Sequence, residues 1–291
     1  MKIINKSNGG YGHSMNCGLK LAKGDYIGIL EPDDFVDTNA FEKLYNAAKK
    51  NDCEVVKCNY YERREQINQD NYMEVLWELP YNTVTCAAEN KKIVYMRPCI
   101  WSAIYSRKFL LENRITFNET PGASYQDTSF AFKVWICAKR VFFMKDAFLH
   151  YRIDNANSSV NSKGKVFSIC DEFWDIQAFL NHNKEWRNEF TPILQVLKFD
   201  AYTWNMGRIA DEYKKAFSDE IALEFLKADY DGFLHRDLFD QERWNKLQNI
   251  IEAYRNVEND GWKTVDIYKK SASYRLGYAL LQPLRIIFHL K

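Results

Sequence analysis

The chain has 291 residues, 46% hydrophobic and 27% charged, with 40 Lys+Arg against 39 Asp+Glu and a net charge of +1. That is the profile of an ordinary globular protein with a sizeable core, and its balance excludes nucleic-acid binding through bulk charge. No run of 18 uninterrupted apolar residues offers a membrane-spanning helix, the opening MKIINKSNGG has no apolar leader, and the seven cysteines, an odd number without a C-x-x-C pair, read as reduced thiols rather than a disulfide framework or a zinc site.

In chain order, Lys2–Asn5 is a short strand candidate that breaks at Asn8-Gly9-Gly10. Ser14–Ala22 places Met15, Leu19 and Ala22 on one helical face, with Gly24 as its stop. Tyr26–Leu30 reads as a buried strand before Glu31-Pro32. Asp37 or Thr38 caps a helix through Lys50 that turns Phe41, Leu44, Tyr45 and Ala48 inward, and Glu54–Tyr61 is the next strand. Strands alternating with helices predict a parallel α/β sheet. Asn68–Met96 has no clean period; Ser106–Asn113 and Asp127–Lys139 read as helices, and Val141–Tyr151 as a strand. From Lys165 the pattern is helical, with one helix around Phe167–Phe179 and three more over Thr191–Tyr213, Asp219–Lys227 and Gln241–Val257. The polar stretch Asn155–Ser162 marks a domain boundary.

Three constellations carry chemistry. Glu31-Pro32-Asp33-Asp34 follows a strand directly, at the carboxyl end where open α/β sheets bind ligands. Carboxylates concentrated there suit a hard divalent cation and a diphosphate, or else a plain acidic turn with Asp33 or Asp34 as a cap. Asn8-Gly9-Gly10 through Asn16-Cys17-Gly18 leads into a helix whose N-terminus suits an anion, or is simply a turn and a helix. Asp127, after the loop Gly122-Ala123-Ser124-Tyr125-Gln126, is either a helix N-cap or a general base for a hydroxyl proton. His13, His150 and Trp101 each have a structural reading beside a ligand-contacting one.

The order Asn8-Gly9-Gly10…Asn16-Cys17-Gly18, then Ala22-Lys23-Gly24-Asp25-Tyr26-Ile27-Gly28-Ile29-Leu30-Glu31-Pro32-Asp33-Asp34, then Gly122–Phe130, resembles the bacterial family 2 glycosyltransferases. Cys99–Tyr105 resembles the family's W-x-x-x-Y run, and His150-Tyr151-Arg152 with Asn155–Val160 its Y-R…S-S segment. The resemblance covers roughly residues 1–160. It implies a glycosyltransferase A-type, Rossmann-like mixed α/β sheet followed by a mostly helical region. It further implies an inverting transfer from a nucleotide-sugar donor to a glycan or lipid-linked acceptor, in cell-surface polysaccharide assembly. Glu31 and Asp33 would hold Mn²⁺ or Mg²⁺; Asn8, Gly9, Asn16, Glu31, Asp33 and Asp34 would line the donor; Trp101, Gln126 and Arg152 would meet the acceptor; Asp127 would be the base. Two positions depart from the family pattern: Glu31 stands for an aspartate, and Gln126 for a glutamate beside the base.

The family domain ordinarily opens with further strand–helix units, so an N-terminal shortfall of about 70–90 residues is expected. An incomplete sheet would have strand edges open to a second chain. The alternative function is a non-catalytic relative that binds or scaffolds. Domains are expected at 1–160 (catalytic), 161–262 (helical) and 263–291. The last carries six Lys/Arg against one Asp among interleaved Leu, Ile, Tyr and Phe, the pattern of a segment lying on an anionic membrane. Localisation is accordingly expected in the cytoplasm, peripheral on the inner face of the plasma membrane.

Overall fold

The computed structural model describes residues 2–76, 78–154 and 165–257. The chain folds as two compact units, Met1–Asn161 and Ser162–Lys291. The basic segment 263–291 lies outside the described residues.

The first unit is built on a seven-stranded mixed sheet. Its elements run α1 (Gly10–Leu21), β1 (Tyr26–Gly28), β2 (Phe35–Val36), α2 (Ala40–Asn51), β3 (Val55–Arg64), β4 (Gln69–Met73), β5 (Val84–Thr85), β6 (Ala103–Ser106), α3 (Arg107–Glu112), α4 (Gln126–Cys137) and β7 (Val141–Arg152). The central path is β1-β6-β3-β7-β2, with β4 added to β3 and β5 to β7. Among the described residues only β3 and β7 pair in parallel, from Val55 opposite Val141 to Arg63 opposite Arg152; the other pairs are antiparallel. The parallel sheet that strand–helix alternation predicts is therefore corrected to a mixed one. The long 68–102 connection returns the chain antiparallel to β3 instead of crossing over through a helix.

Lys2–Asn5 forms no strand: Ile3 and Ile4 are exposed and find no ladder. In α2, Ala40, Leu44 and Ala48 face the core, whereas Phe41 and Tyr45 are exposed. The buried stripe follows the small residues that let α2 lie close to Val56, Ile104 and Phe142 of the sheet.

β3 is buried along its first six residues, although its sequence there holds Lys57 and Asn59. Buried polar groups persist when they are satisfied. Lys57 Nζ donates to the Cys99 carbonyl and to Ser102 Oγ, both at 2.7 Å. Asn59 Nδ2 donates to the hydroxyls of Tyr72 and Tyr81, and its Oδ1 accepts from Val75 N–H. Two polar side chains of the central strand thus pin the connection that runs from β3 to β6.

The second unit holds α5 (Ser168–Asn181), α6 (Lys184–Met206), α7 (Asp211–Tyr230) and α8 (Gln241–Val257). α6 begins two turns before the expected Thr191, because Asn183 caps it by accepting from the N–H groups of Glu185 and Trp186. Pro192 therefore lies inside the helix rather than at its start. Buried Lys198 and Glu224 pair at 2.8 Å, and Glu224 also accepts from Tyr202 Oη and Trp174 Nε1.

Candidate active site

Glu31–Asp34 turns two residues beyond the end of β1, closed by Asp34 N–H donating to the Glu31 carbonyl at 3.2 Å. Asp34 is buried; its Oδ1 accepts from Arg152 N–H at 3.0 Å, while its Oδ2 is buried without a hydrogen-bond partner. Burial first, then the charges of Asp33 and Glu31, push Asp34 up to about 6 against the opposing hydrogen bond from Arg152. Glu31 is also raised, chiefly by burial, with the Tyr11 hydroxyl opposing and the Asp33 charge adding. Three carboxylates thus share one turn, and the Asp33 charge raises both Glu31 and Asp34.

Asp127 comes to this place from almost a hundred residues downstream. α4 starts at Gln126 after Tyr125, which takes the left-handed conformation at φ 67°. Tyr125, not Asp127, is therefore the N-cap residue, and Asp127 lies in the first turn. Its carboxyl, half-buried, is pushed up to about 6 by burial, with hydrogen bonds from its own and the Thr128 N–H opposing. The Glu31 charge raises it further and the Arg97 guanidinium lowers it, so both groups lie within its field.

The other expected residues take defined places. Asn8 Oδ1 accepts from Gly10 N–H at 3.0 Å at the entry to α1, and Gly9 precedes the helix. Asn16 is buried with its amide given to the loop before α4: Nδ2 donates to the Phe117 carbonyl and to Glu119 Oε1, and Oδ1 accepts from Phe117 N–H, each at 2.9 Å. Gln126, also buried, knits that loop to itself: Nε2 donates to Thr120 Oγ1 at 2.9 Å and Oε1 accepts from Ser124 N–H at 2.6 Å. Arg152 braces the Glu31–Asp34 turn, Nη1 donating to the Asp33 carbonyl at 2.9 Å while the guanidinium lies over the Phe35 ring. Trp101 stacks on Tyr151 at 5.2 Å and meets Tyr60 edge-on. His150 is sandwiched between Phe35 and Tyr61, its two ring nitrogens on Asp70 and Asp37.

Two residues that sequence reasoning passed over stand in the site. Tyr11 Oη donates to Glu31 Oε1 at 2.5 Å. Arg97, its side chain 57% exposed, donates to Tyr60 Oη at 2.9 Å within the field of Asp127. Tyr11 sits inside the glycine motif, between Gly10 and Gly12, so its position was a signal; Arg97 follows the aperiodic stretch and carried none.

Among the described residues, no three His, Cys, Asp or Glu side chains converge as a ready-made metal cage. A divalent ion held with a diphosphate does not need one, since one or two carboxylates with phosphate oxygens and water complete its shell. The all-oxygen set of Glu31 and Asp33, the repulsion within the turn and the orphaned Asp34 Oδ2 fit such an ion.

Residues 1–112 match the family model described as glycosyl transferase family 2. Over those residues the chain is similar to that family. The uncharacterized glycosyltransferase EpsJ of Bacillus subtilis is 27% identical over 197 residues, covering 62% of this chain and 54% of EpsJ. The poly(ribitol-phosphate) beta-glucosyltransferase of Bacillus spizizenii is 24% identical over 147 residues, covering 50% of this chain and 22% of that protein. The chain spans about half the length of the first curated relatives it matches. The crystal structure of S. aureus TarS 1–349 in complex with UDP superposes with a TM-score of 0.58 at 16% identity, covering 88% of this chain and 74% of that one. That likeness fixes the fold as a glycosyltransferase A-type mixed α/β architecture. No helix among the described residues is long and apolar enough to cross a membrane.

Proposed function

We propose that this protein transfers a sugar, with inversion, from a nucleotide-sugar donor to a glycan or lipid-linked acceptor in cell-surface polysaccharide assembly. The observation that carries the reading is the meeting of Glu31 and Asp127 in one electrostatic neighbourhood from opposite ends of the first unit. Glu31 and Asp33 would hold Mn²⁺ or Mg²⁺ on the donor diphosphate, where the ion stabilises the departing charge. Asn8, Gly9 and the α1 N-terminus, with Asp34 shaping the turn, form the donor side. Asn16 and Gln126 serve that site by fixing the loop that leads to Asp127.

Asp127 accepts the acceptor hydroxyl's proton as that oxygen attacks the anomeric carbon from the face opposite the diphosphate. Its pKa near 6 makes it a stronger base than an ordinary aspartate while leaving it ionised at neutral pH. Trp101 and Arg97 border the acceptor approach, and Arg152 holds the donor turn in shape. The donor assignment is supported by the family match and by the UDP complex of TarS. The basic 263–291 segment supports an acceptor presented at an anionic membrane, on the inner face of the plasma membrane.

The test is Mn²⁺-dependent release of nucleoside diphosphate from a panel of nucleotide sugars in the presence of membrane extract. Asp127→Asn should lower turnover by about 10²–10⁴-fold with donor affinity kept. Nucleotide binding without turnover in any combination would instead assign a non-catalytic, binding role.

A further inference from the structure

One side chain in the site has no task in the reading above. Tyr11 is the second residue of α1, and its phenol reaches twenty residues along the chain to Glu31 at 2.5 Å. Its position is tightly set. The ring meets Phe117 edge-on at 6.0 Å, and its backbone N–H donates to the Gly122 carbonyl at 2.8 Å. On either side the backbone is wedged against the loop before α4: a β-carbon on Gly12 would stand 1.9 Å from the Asn118 carbonyl oxygen, and one on Gly10, at φ +85°, would stand 2.7 Å from that of Thr120. A phenol loses its proton only near pH 10, so at neutral pH it is a donor.

A phenol has one proton to give, and it is given to a lone pair of Glu31 Oε1. A divalent ion draws on the lone pairs and the charge of the same carboxylate, and its positive charge opposes the positive end of the O–H dipole beside it. The ion and the phenol proton therefore compete for Glu31.

We propose that Tyr11 is a latch on the donor carboxylate: its phenol occupies Glu31 in the free protein and is displaced from Oε1 when a nucleoside diphosphate enters with its divalent ion. The proposal rests on the donor-site reading and adds to it a positioning residue that sets how readily the metal diphosphate is accepted. Because the N–H of the same residue holds the Gly122 carbonyl, the latch belongs at once to the donor turn and to the loop that leads to Asp127.

The experiment uses the full chain, wild type and Tyr11→Phe, titrated calorimetrically with UDP in the presence and absence of Mn²⁺ at pH 7.5. Tyr11→Phe keeps the ring against Phe117 and removes only the competing donor. Metal-dependent affinity should rise about tenfold, the scale of one hydrogen bond to a charged group, while metal-free binding stays the same. In the wild-type chain carrying ¹³Cζ-labelled tyrosine, the Tyr11 resonance should move on addition of Mg²⁺ with UDP and stay put with UDP alone. Equal or weaker metal-dependent affinity in Tyr11→Phe overturns the latch and leaves the donor site standing. An unmoved Tyr11 resonance in a chain that binds Mg²⁺ with UDP overturns it as well, whether or not the variant folds. Absence of metal-dependent binding in both proteins overturns the donor-site reading and the latch with it.

Discussion

Asn16 and Phe117 bond each other as two strand residues would: the Asn16 amide donates to the Phe117 carbonyl and accepts from the Phe117 N–H, each at 2.9 Å. A side chain thereby stands in for a missing strand and ties α1 to the loop before α4. Replacing Asn16 by Asp keeps the acceptor but turns a carboxylate oxygen toward a buried carbonyl. The expected cost is about 1–3 kcal/mol, the price of unsatisfied buried groups. It should appear as a lower denaturant midpoint with an unchanged m-value.

Asp127 should show opposite signs in activity and stability. A carboxyl at about 6 in the fold, against about 4 unfolded, favours its neutral form in the fold. Its ionised form therefore destabilises the protein above pH 6, and that penalty fades as pH falls from about 6 to about 4. Asp127→Asn should accordingly raise Tm at pH 8 and do so much less at pH 4.5, while turnover is lost. In the wild type, kcat should climb as pH rises through about 6, later than an ordinary aspartate base allows. Thermal melts at the two pH values and a kcat profile from pH 5 to 8 check both.

Arg152 to Lys should damage the donor turn without removing a charge. The guanidinium serves the Asp33 carbonyl and the face of Phe35 together, which a single ammonium does not match. The expected readout is weaker metal-dependent UDP binding, by about three- to tenfold, with circular dichroism unchanged.

In the helical unit, Lys198→Met would leave Glu224 as a buried charge stripped of its ion partner. Loss of one partner of such a pair costs about 3–5 kcal/mol. Lys198→Met with Glu224→Gln should recover much of it, since the amide still meets Tyr202 and Trp174. Chemical denaturation of the single and double variants measures the difference.

The long, strongly patterned elements were legible from the chain. The last helix stands at Gln241–Val257 as its periodicity states, and Ser106 caps α3 by accepting from Phe109 N–H. What failed was local pattern under tertiary control. β4 and β5 sit in the stretch without a period, which Asn59 of the neighbouring strand holds through Tyr72, Tyr81 and Val75. The motifs marked Glu31, Asp33 and Asp127, but no spacing in the chain says that Tyr11 reaches Glu31, or that Asn16 and Gln126 turn inward to the loop.

The closeness of α1 to the 117–122 loop has an evolutionary consequence. At residue 12 the space beside the Asn118 carbonyl admits a hydrogen and nothing larger. A lineage that exchanges Gly12 must first shift that carbonyl, and shifting it disturbs the Asn16 ties to Phe117 and Glu119. The two segments are therefore bound to change together: a loop of different length is accessible only with a rewritten start to α1, and grafting either segment alone between relatives should yield a misfitted hybrid.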